Sequence, residues 1–269
     1  MTYHFLKGHG TENDFVLLPD HDGTVHGDLS ADRVRALCDR RAGLGADGVL
    51  RVVRSEVLGE TGAEWFMDYR NSDGSVSEMC GNGVRVFARH LLDEGLVDAD
   101  EPVAVATRAG VKMVTRDGDL FTVDMGTPRR GADSTVTVEG RSWPAVHVDM
   151  GNPHAVAFVS DLADAGPLLE APGHDREVYP HGVNVEFVVR RGPQHVAMRV
   201  HERGSGETRS CGTGACAVMV ATALADDAPR GTAYTVDLPG GTLTITWTDD
   251  DRILMTGPAV VVARGTTDL

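Results

Sequence analysis

The sequence predicts an α+β fold made of two similar halves, and three features of the chain support this prediction. Short runs that alternate apolar and polar residues dominate both halves, as expected for half-buried β-strands. Only three segments have the apolar spacing of a helix. A cysteine directly before Gly-x-Gly occurs twice, as CGNG at Cys80 and as CGTG at Cys211, once in each half of the 269-residue chain.

The predicted strands form two sets. The first set comprises residues 15–18, 48–53, 64–69, 103–107, 112–116 and 120–125. The second set comprises residues 135–139, 144–150, 155–159, 183–189, 195–202, 233–238, 242–247 and 253–257. Between them the segment GTPRRGAD, residues 126–133, lacks periodicity and contains a proline and two glycines. We therefore expect an N-terminal half over residues 1–125, which carries Cys80, and a C-terminal half over residues 126–257, which carries Cys211.

Three helices are expected, two of them directly after the paired cysteines. Ser30 is a suitable N-cap for a helix over residues 30–41. The other two segments are residues 83–95 and 214–227. Each half therefore consists of many strands and a central helix that starts at a cysteine. Two symmetric halves imply a cleft between them, in which an active site would receive one cysteine from each side.

Composition excludes several classes of function. The net charge of −15 disfavours binding to nucleic acid or to an anionic membrane. No run approaches the ~20 apolar residues of a membrane span, and no signal peptide is recognisable, so we expect a cytoplasmic protein. Lys7 and Lys112 are the only lysines, so few residues are available to form a Schiff base with a pyridoxal cofactor. The eleven histidines show no metal-ligand spacing, so neither a cofactor nor a metal is expected.

The paired motifs indicate acid–base chemistry. A Gly-x-Gly at a helix start allows the backbone to approach an anion closely, and the helix dipole stabilises that anion. The same dipole is expected to lower the pKa of a thiol at this position. Two facing groups of equal strength are what a cofactor-independent racemase or epimerase needs, because one removes the Cα proton and the other delivers a proton to the opposite face. The helix starts would hold the substrate's α-carboxylate.

Six blocks in order along the chain resemble the diaminopimelate epimerase family: KGHGTENDFVLL (7–18), GLGADGVL (43–50), YRNSDGSVSEMCGNGVR (69–85), GNPHAV (151–156), GVNVEF (182–187) and ERGSGETRSCGTGACA (202–217). The resemblance implies two pseudo-symmetric domains and a small-molecule amino-acid substrate, with no pyridoxal or metal. It implies interconversion of LL- and meso-diaminopimelate in lysine and cell-wall precursor biosynthesis. It also implies that the tail, residues 258–269, returns to the first half. A homodimer is left open.

The resemblance further implies roles for individual residues. Cys80 and Cys211 would be the two bases, and His154 and Glu202 would be auxiliary residues that adjust proton transfer. The implied substrate-binding residues are Asn13, Asn71, Gly81, Asn82, Asn152, Asn184, Glu202, Arg203, Gly212 and Thr213. Within this set, Arg203 is expected to recognise the distal carboxylate, because a guanidinium can donate two parallel hydrogen bonds.

Two positions depart from the family pattern. Thr11-Glu12 stands where many members have Leu-Gly, and Gly48 stands where some members have a glutamine that touches the substrate. Both departures concern substrate contacts and neither removes a catalytic group.

Four alternative functions fit the sequence less well. A proline or hydroxyproline racemase also uses two cysteines, but its substrate lacks the distal charged arm that would need Arg203. A phenazine-pathway isomerase has the same fold without this pair of cysteines. A non-catalytic amino-acid-binding protein would not need both thiols. Dinucleotide binding at GLGADG, residues 43–48, is disfavoured because the motif follows a helix and enters a strand, the reverse of the usual order.

Overall fold

The computed structural model describes residues 2–269 and divides the chain into two compact units. The first unit is Met1–Val123 together with Gly257–Leu269, and the second is Asp124–Thr256. Residues 2–269 contain many strands and three α-helices. The predicted α+β fold class is confirmed.

The strands and helices are numbered in chain order. They are β1 (Tyr3–Gly10), β2 (Asn13–Pro19), α1 (Ala31–Cys38), β3 (Gly48–Arg54), β4 (Trp65–Asn71), α2 (Gly81–Asp93), β5 (Val103–Thr107), β6 (Gly110–Asp117), β7 (Leu120–Asp124), β8 (Arg129–Arg130), β9 (Ser134–Val138), β10 (Arg141–Asp149), β11 (Pro153–Phe158), β12 (Gly173–His174), β13 (Asn184–Gly192), β14 (His195–Glu202), β15 (Gly206–Thr208), α3 (Gly212–Ala225), β16 (Ala233–Leu238), β17 (Gly241–Trp247), β18 (Ile253–Pro258) and β19 (Val260–Thr267). Short 3₁₀ helices occupy Ser55–Leu58 and Leu162–Ala165.

The same order of strand pairings occurs in both units. In the first unit β1 pairs antiparallel with β2, β2 parallel with β3, β3 antiparallel with β4, β4 parallel with β5, and β5 antiparallel with β6. In the second unit the same alternation runs through β10, β11, β13, β14, β16 and β17. Helix α2 lies between β4 and β5 in sequence, and α3 lies between β14 and β16. The two cysteines therefore occupy equivalent places in a repeated topology.

Helices α2 and α3 are surrounded by the strands of their own units. Helix α2 contacts β1, β2, β3, β5, β6 and β19, and α3 contacts β10, β11, β13, β14, β16 and β17. Nearly every residue of α3 up to Ala223 is buried, which is the pattern of a helix packed on all sides. A helix start fixed inside such a shell can hold its capping residue in one position.

The helix bounds differ from the sequence prediction in two ways. Helices α2 and α3 start two residues earlier than predicted, at Gly81 and Gly212, because the preceding cysteines act as N-caps. Helix α1 is capped at Ser30 as predicted but ends at Cys38. It ends there because the Asp39 carboxylate accepts the backbone N–H groups of Arg41 and Ala42, both at 2.7 Å, and so forms a turn.

Two strands at the ends of the chain were absent from the predicted set. Strand β1 contains Gly8 and Gly10, which weaken its strand pattern, and β19 pairs with it in antiparallel register. The last strand of the chain thus lies beside the first. Within residues 2–269, no helix is long and apolar enough to cross a bilayer.

Gly10, at the end of β1, is in close contact with the start of α2. A methyl group added to Gly10 would lie 2.9 Å from Arg85 Nη2 and 3.2 Å from the Asn82 carbonyl oxygen. Arg85 itself is fully buried and donates to Asn82 Oδ1 at 3.0 Å. The close approach of strand and helix therefore requires a residue without a side chain at position 10.

We predict that Gly10→Ala destabilises the protein by about 1–3 kcal/mol, because the backbone at Asn82 must shift to admit the methyl group. Urea unfolding monitored by circular dichroism measures the effect. The matched control is Gly192→Ala, since no heavy atom lies within 4 Å of its added methyl group. Equal unfolding midpoints for the two variants would contradict the packing described here.

Candidate active site

Cys80 and Cys211 perform the same structural role in their two units. Each has an extended backbone and directly precedes its helix. Cys80 Sγ accepts the Gly83 N–H at 3.5 Å, and Cys211 Sγ accepts the Gly214 N–H at 3.4 Å. Each sulfur therefore lies at the positive end of a helix dipole, where an anionic group is stabilised.

Asn13 connects Cys80 to the β1–β2 hairpin. Its Oδ1 accepts from Cys80 Sγ at 3.5 Å and from Asn82 Nδ2 at 3.2 Å. Its Nδ2 donates to Asp47 Oδ2 at 2.9 Å. Asp47 therefore fixes the orientation of the Asn13 amide, with the carbonyl side toward the thiol.

A network of charged side chains supports Asp47 and the hairpin. Arg40 bonds both Asp14 and Asp47 at 2.7 Å, and Lys7 bonds Asp14 at 2.6 Å. Burial raises the pKa of Asp14, but hydrogen bonds and charge from Arg40 and Lys7 outweigh burial and lower it to about 2. Asp14 is thus ionised throughout the neutral pH range.

The two departures from the family pattern have structural consequences. Thr11 and Glu12 form the turn between β1 and β2 with φ of 50° and 61°, a region that costs a non-glycine residue roughly 1–2 kcal/mol. This strained turn directly precedes Asn13. Gly48 packs so closely that an added methyl group would lie 2.6 Å from both the Arg70 carbonyl oxygen and the Tyr69 ring. The backbone as it stands leaves no room for a larger side chain at position 48.

In the second unit, two carboxylates flank Cys211. Glu202 is hydrogen-bonded to the Cys211 thiol and accepts from Thr208 Oγ1, and burial raises the pKa of Glu202. Glu186 is fully buried, and its Oε1 lies 2.6 Å from His154 Nδ1. His154 Nε2 lies 3.1 Å from Asn152 Oδ1.

The expectation of a depressed thiol pKa is wrong for Cys211. Burial raises the pKa of its thiol well above the usual range, and the charges of Glu202 and Glu186 raise it further. Hydrogen bonds involving Thr213 Oγ1 and the Gly214 N–H oppose this effect but do not overcome it. Cys211 is therefore a thiol at neutral pH, and the position at the helix start is not sufficient to ionise it.

Asn184 and Arg203 are linked within the second unit. Asn184 Oδ1 accepts the Arg203 N–H at 2.9 Å, and Asn184 Nδ2 donates to the Pro153 carbonyl at 3.2 Å. The Arg203 side chain is exposed and donates to the His181 carbonyl at 3.1 Å. Asn184 thereby ties the start of β13 to the segment that carries Glu202 and Arg203.

The other predicted substrate-binding residues lie at or near the ends of strands and helices. Gly81 and Gly212 are the first residues of α2 and α3, and Thr213 follows with its hydroxyl 3.6 Å from Cys211 Sγ. Asn71 ends β4, and its side chain donates to Ser75 Oγ at 3.0 Å, a hydrogen bond within its own turn.

Sequence reasoning missed three residues that position these groups: Asp47, Glu186 and Thr208. Asp47 lies in GLGADG, where neither the family resemblance nor the dinucleotide alternative gave it a role. Glu186 lies in GVNVEF, where an acidic residue inside a buried strand was a usable signal.

All four cysteines are thiols. Cys38 and Cys216 are buried, as expected for core residues, and burial raises the pKa of Cys38 to about 11.

No group of three or more potential metal ligands is assembled anywhere in residues 2–269.

Comparison with known proteins identifies close sequence relatives. The family model described as diaminopimelate epimerase matches residues 5–131 and 146–262. The diaminopimelate epimerase of Streptomyces coelicolor is 62% identical over 98% of this chain and 95% of the relative. That of Corynebacterium glutamicum (strain ATCC 13032) is 48% identical over 98% of both chains.

Solved structures with the same fold are more distant in sequence. A phenazine biosynthesis protein of the PhzF family from Bacillus anthracis has a TM-score of 0.75 at 17% identity and covers 100% of both chains. A hydroxyproline epimerase from Agrobacterium vitis, with bound trans-4-hydroxy-L-proline, has a TM-score of 0.70 at 17% identity and covers 100% of this chain and 93% of the other. At this identity the two structures establish a shared fold and no more.

We predict that alkylation of Cys211 by iodoacetamide is displaced to higher pH than that of N-acetylcysteine. The reagent attacks the thiolate, and a raised pKa keeps the thiol protonated to higher pH. Peptide mapping after alkylation over a pH series that extends above the pKa of the reference thiol shows the pH dependence of the rate. The position of that dependence on the pH axis reports ionisation, whereas restricted access lowers the rate at every pH. A rate that rises at lower pH than that of the reference thiol would contradict the raised pKa.

Proposed function

Because the chain belongs to the diaminopimelate epimerase family, we propose that it interconverts LL- and meso-diaminopimelate by inverting one α-carbon. The observation that carries the proposal is the repeated topology, in which each unit supplies one cysteine-capped helix. The halves expected from the sequence, residues 1–125 with 258–269 and residues 126–257, would be the functional halves, each with one thiol. This chemistry favours a cytoplasmic enzyme, because a reducing compartment keeps both thiols available.

In the proposed reaction one cysteine takes the proton from Cα as a thiolate, and the other gives a proton to the opposite face as a thiol. The carbon–hydrogen electron pair remains on the substrate as a carbanion delocalised into the α-carboxylate. Backbone N–H groups at the starts of α2 and α3 stabilise the added negative charge. The two sulfurs exchange protonation states in each turnover, and the reverse reaction restores them.

The high pKa of Cys211 supports a first role for it as the proton donor. A protonated Cys211 is ready to donate, which leaves removal of the proton from the opposite face to Cys80, whose sulfur is hydrogen-bonded to the neutral amide of Asn13. The substrate's α-ammonium group would bring a positive charge close to both sulfurs, and a nearby positive charge lowers a thiol pKa. Binding would thus make a thiolate accessible where the helix dipole alone does not.

No pyridoxal is needed in this scheme, because the two sulfurs carry the proton and the carboxylate carries the charge. Lys7, one of the two lysines, is committed to its ion pair with Asp14 at 2.6 Å. The proposed reaction uses one chain, and association of two chains does not enter it.

We predict that Cys80→Ala and Cys211→Ala each abolish epimerisation, because each removes the proton carrier for one face of Cα. Cys38→Ala, a buried cysteine outside the two helix starts, is the matched control and should retain turnover despite a loss of stability. The assay follows conversion of LL- to meso-diaminopimelate by chiral chromatography, with circular dichroism to verify folding. A folded Cys211→Ala protein with wild-type turnover would refute the assignment.

We also predict that Arg203 recognises the distal carboxylate of the substrate. Its guanidinium is exposed, and its planar pair of donors fits a carboxylate in a way that an ammonium group does not. Arg203→Lys should therefore reduce kcat/KM for diaminopimelate by about 10- to 100-fold, the cost of about 1.4–2.7 kcal/mol of lost transition-state binding. Lysine, which lacks the distal carboxylate, serves as the control substrate. If the wild type exchanges the Cα proton of lysine with solvent as fast as that of diaminopimelate, this role of Arg203 is wrong.

A further inference from the structure

We propose that Glu186 is a positioning residue for the Cys211 half of the reaction, acting by holding the His154 ring and by placing a second carboxylate beside the thiol. This inference rests on the proposed function. Glu186 is not among the residues that the family resemblance implies.

Strand register explains how Glu186 reaches His154. Strands β11 and β13 are parallel neighbours, with His154 opposite Asn184 and Val156 opposite Glu186. Because side chains alternate along a strand, His154, Val156 and Glu186 share one face of the sheet. Helix α3 packs against β11 and β13.

The surroundings of Gly214 show that the Glu186 carboxylate lies next to the Cys211 thiol. A methyl group added to Gly214 would lie 2.7 Å from Glu186 Oε1 and 3.2 Å from Cys211 Sγ. Both atoms therefore lie close to the same point on the first turn of α3. The charge of Glu186 accordingly contributes to the raised pKa of Cys211.

The hydrogen bonding of Glu186 differs from that of an ion pair whose only role is to stabilise the fold, because such a pair would have both carboxylate oxygens hydrogen-bonded. Both His154 and Glu186 have side chains with no exposure to solvent, and their contact is 2.6 Å. Glu186 Oε2 is buried and has no hydrogen-bond partner in the part of the chain that the structure describes. A buried carboxylate oxygen without a partner costs free energy, so stability does not explain this residue.

Two consequences follow for the reaction. The bond to Nδ1 orients the His154 ring so that its Nε2 meets Asn152 Oδ1 at 3.1 Å. The carboxylate also favours the thiol form of Cys211, which keeps a proton ready for donation. The titratable groups around this cluster are His147 on β10, His154 on β11, Tyr179, Glu186 on β13, Glu202 on β14 and Cys211 itself.

The test compares Glu186→Gln with a matched control in the same unit. Glutamine keeps the size of the side chain and removes its charge. His195 and Asp237 form another histidine–carboxylate contact of 2.6 Å, partly exposed, at the far end of β14 from Glu202, so Asp237→Asn makes the same chemical change away from the thiol. We expect Glu186→Gln to lower kcat by about 10- to 100-fold with KM changed less than twofold, on the scale seen when a partner that orients a functional histidine is lost. Asp237→Asn should leave both parameters unchanged.

A spectroscopic measurement tests the positioning role without turnover. The short His154–Glu186 hydrogen bond should give a low-field imidazole N–H proton resonance in wild-type enzyme without substrate. That resonance should be lost in Glu186→Gln and retained in Asp237→Asn. Because it needs no substrate, the result stands even if the wild type fails to turn over diaminopimelate, which would refute the proposed function instead.

Three outcomes would overturn the proposal. They are an unchanged kcat in folded Glu186→Gln, a low-field resonance that persists in that variant, and the absence of any such resonance in the wild type. The last measurement applies even if Glu186→Gln does not fold. A loss of activity in Asp237→Asn as large as that in Glu186→Gln would also refute a role specific to Cys211.

Discussion

The arrangement of the candidate active site depends on one interaction that occurs twice, a cysteine sulfur accepting an N–H from the first turn of a buried helix. Cys80 and Cys211 make this contact with Gly83 and Gly214. Since strands of the same unit surround each helix, the helix start cannot move without disturbing the core of that unit. The sulfur position is thus set by the fold itself, which is what proton transfer to a fixed carbon demands.

The two sulfurs share this geometry but differ in their surroundings. Cys80 is bonded to the neutral amide of Asn13, which Asp47 holds in orientation. Cys211 is buried beside the carboxylates of Glu202 and Glu186. A pseudo-symmetric fold therefore carries an asymmetric pair of acids. In the proposed reaction this asymmetry makes Cys211 the first proton donor, because burial and the two carboxylates disfavour its thiolate.

The sequence allowed the fold class and family to be predicted, because strand alternation, helix spacing and ordered motifs are local signals. The predicted helical runs began two residues late, at residues 83 and 214, because glycine is a poor helix former, and the capping bonds of the two cysteines are visible only in the backbone geometry. The buried-strand pattern could have singled out Glu186, but the partners of Asp47 and Glu186 could not be predicted, because their contacts depend on which strands are neighbours. The pKa of Cys211 was predicted with the wrong sign, since the helix dipole was visible in the sequence while burial and the two carboxylates were not.

The central claim is that two different groups serve the two faces of Cα, and the fate of solvent deuterium in the first turnovers tests it most directly. LL-diaminopimelate is incubated with wild-type enzyme in deuterated water, and substrate and product are separated at low conversion for mass analysis. With two bases, the meso product carries deuterium at the inverted carbon while recovered LL substrate retains its proton. Deuterium that appears equally early in recovered substrate and in product would show that one group serves both faces, and would contradict this account.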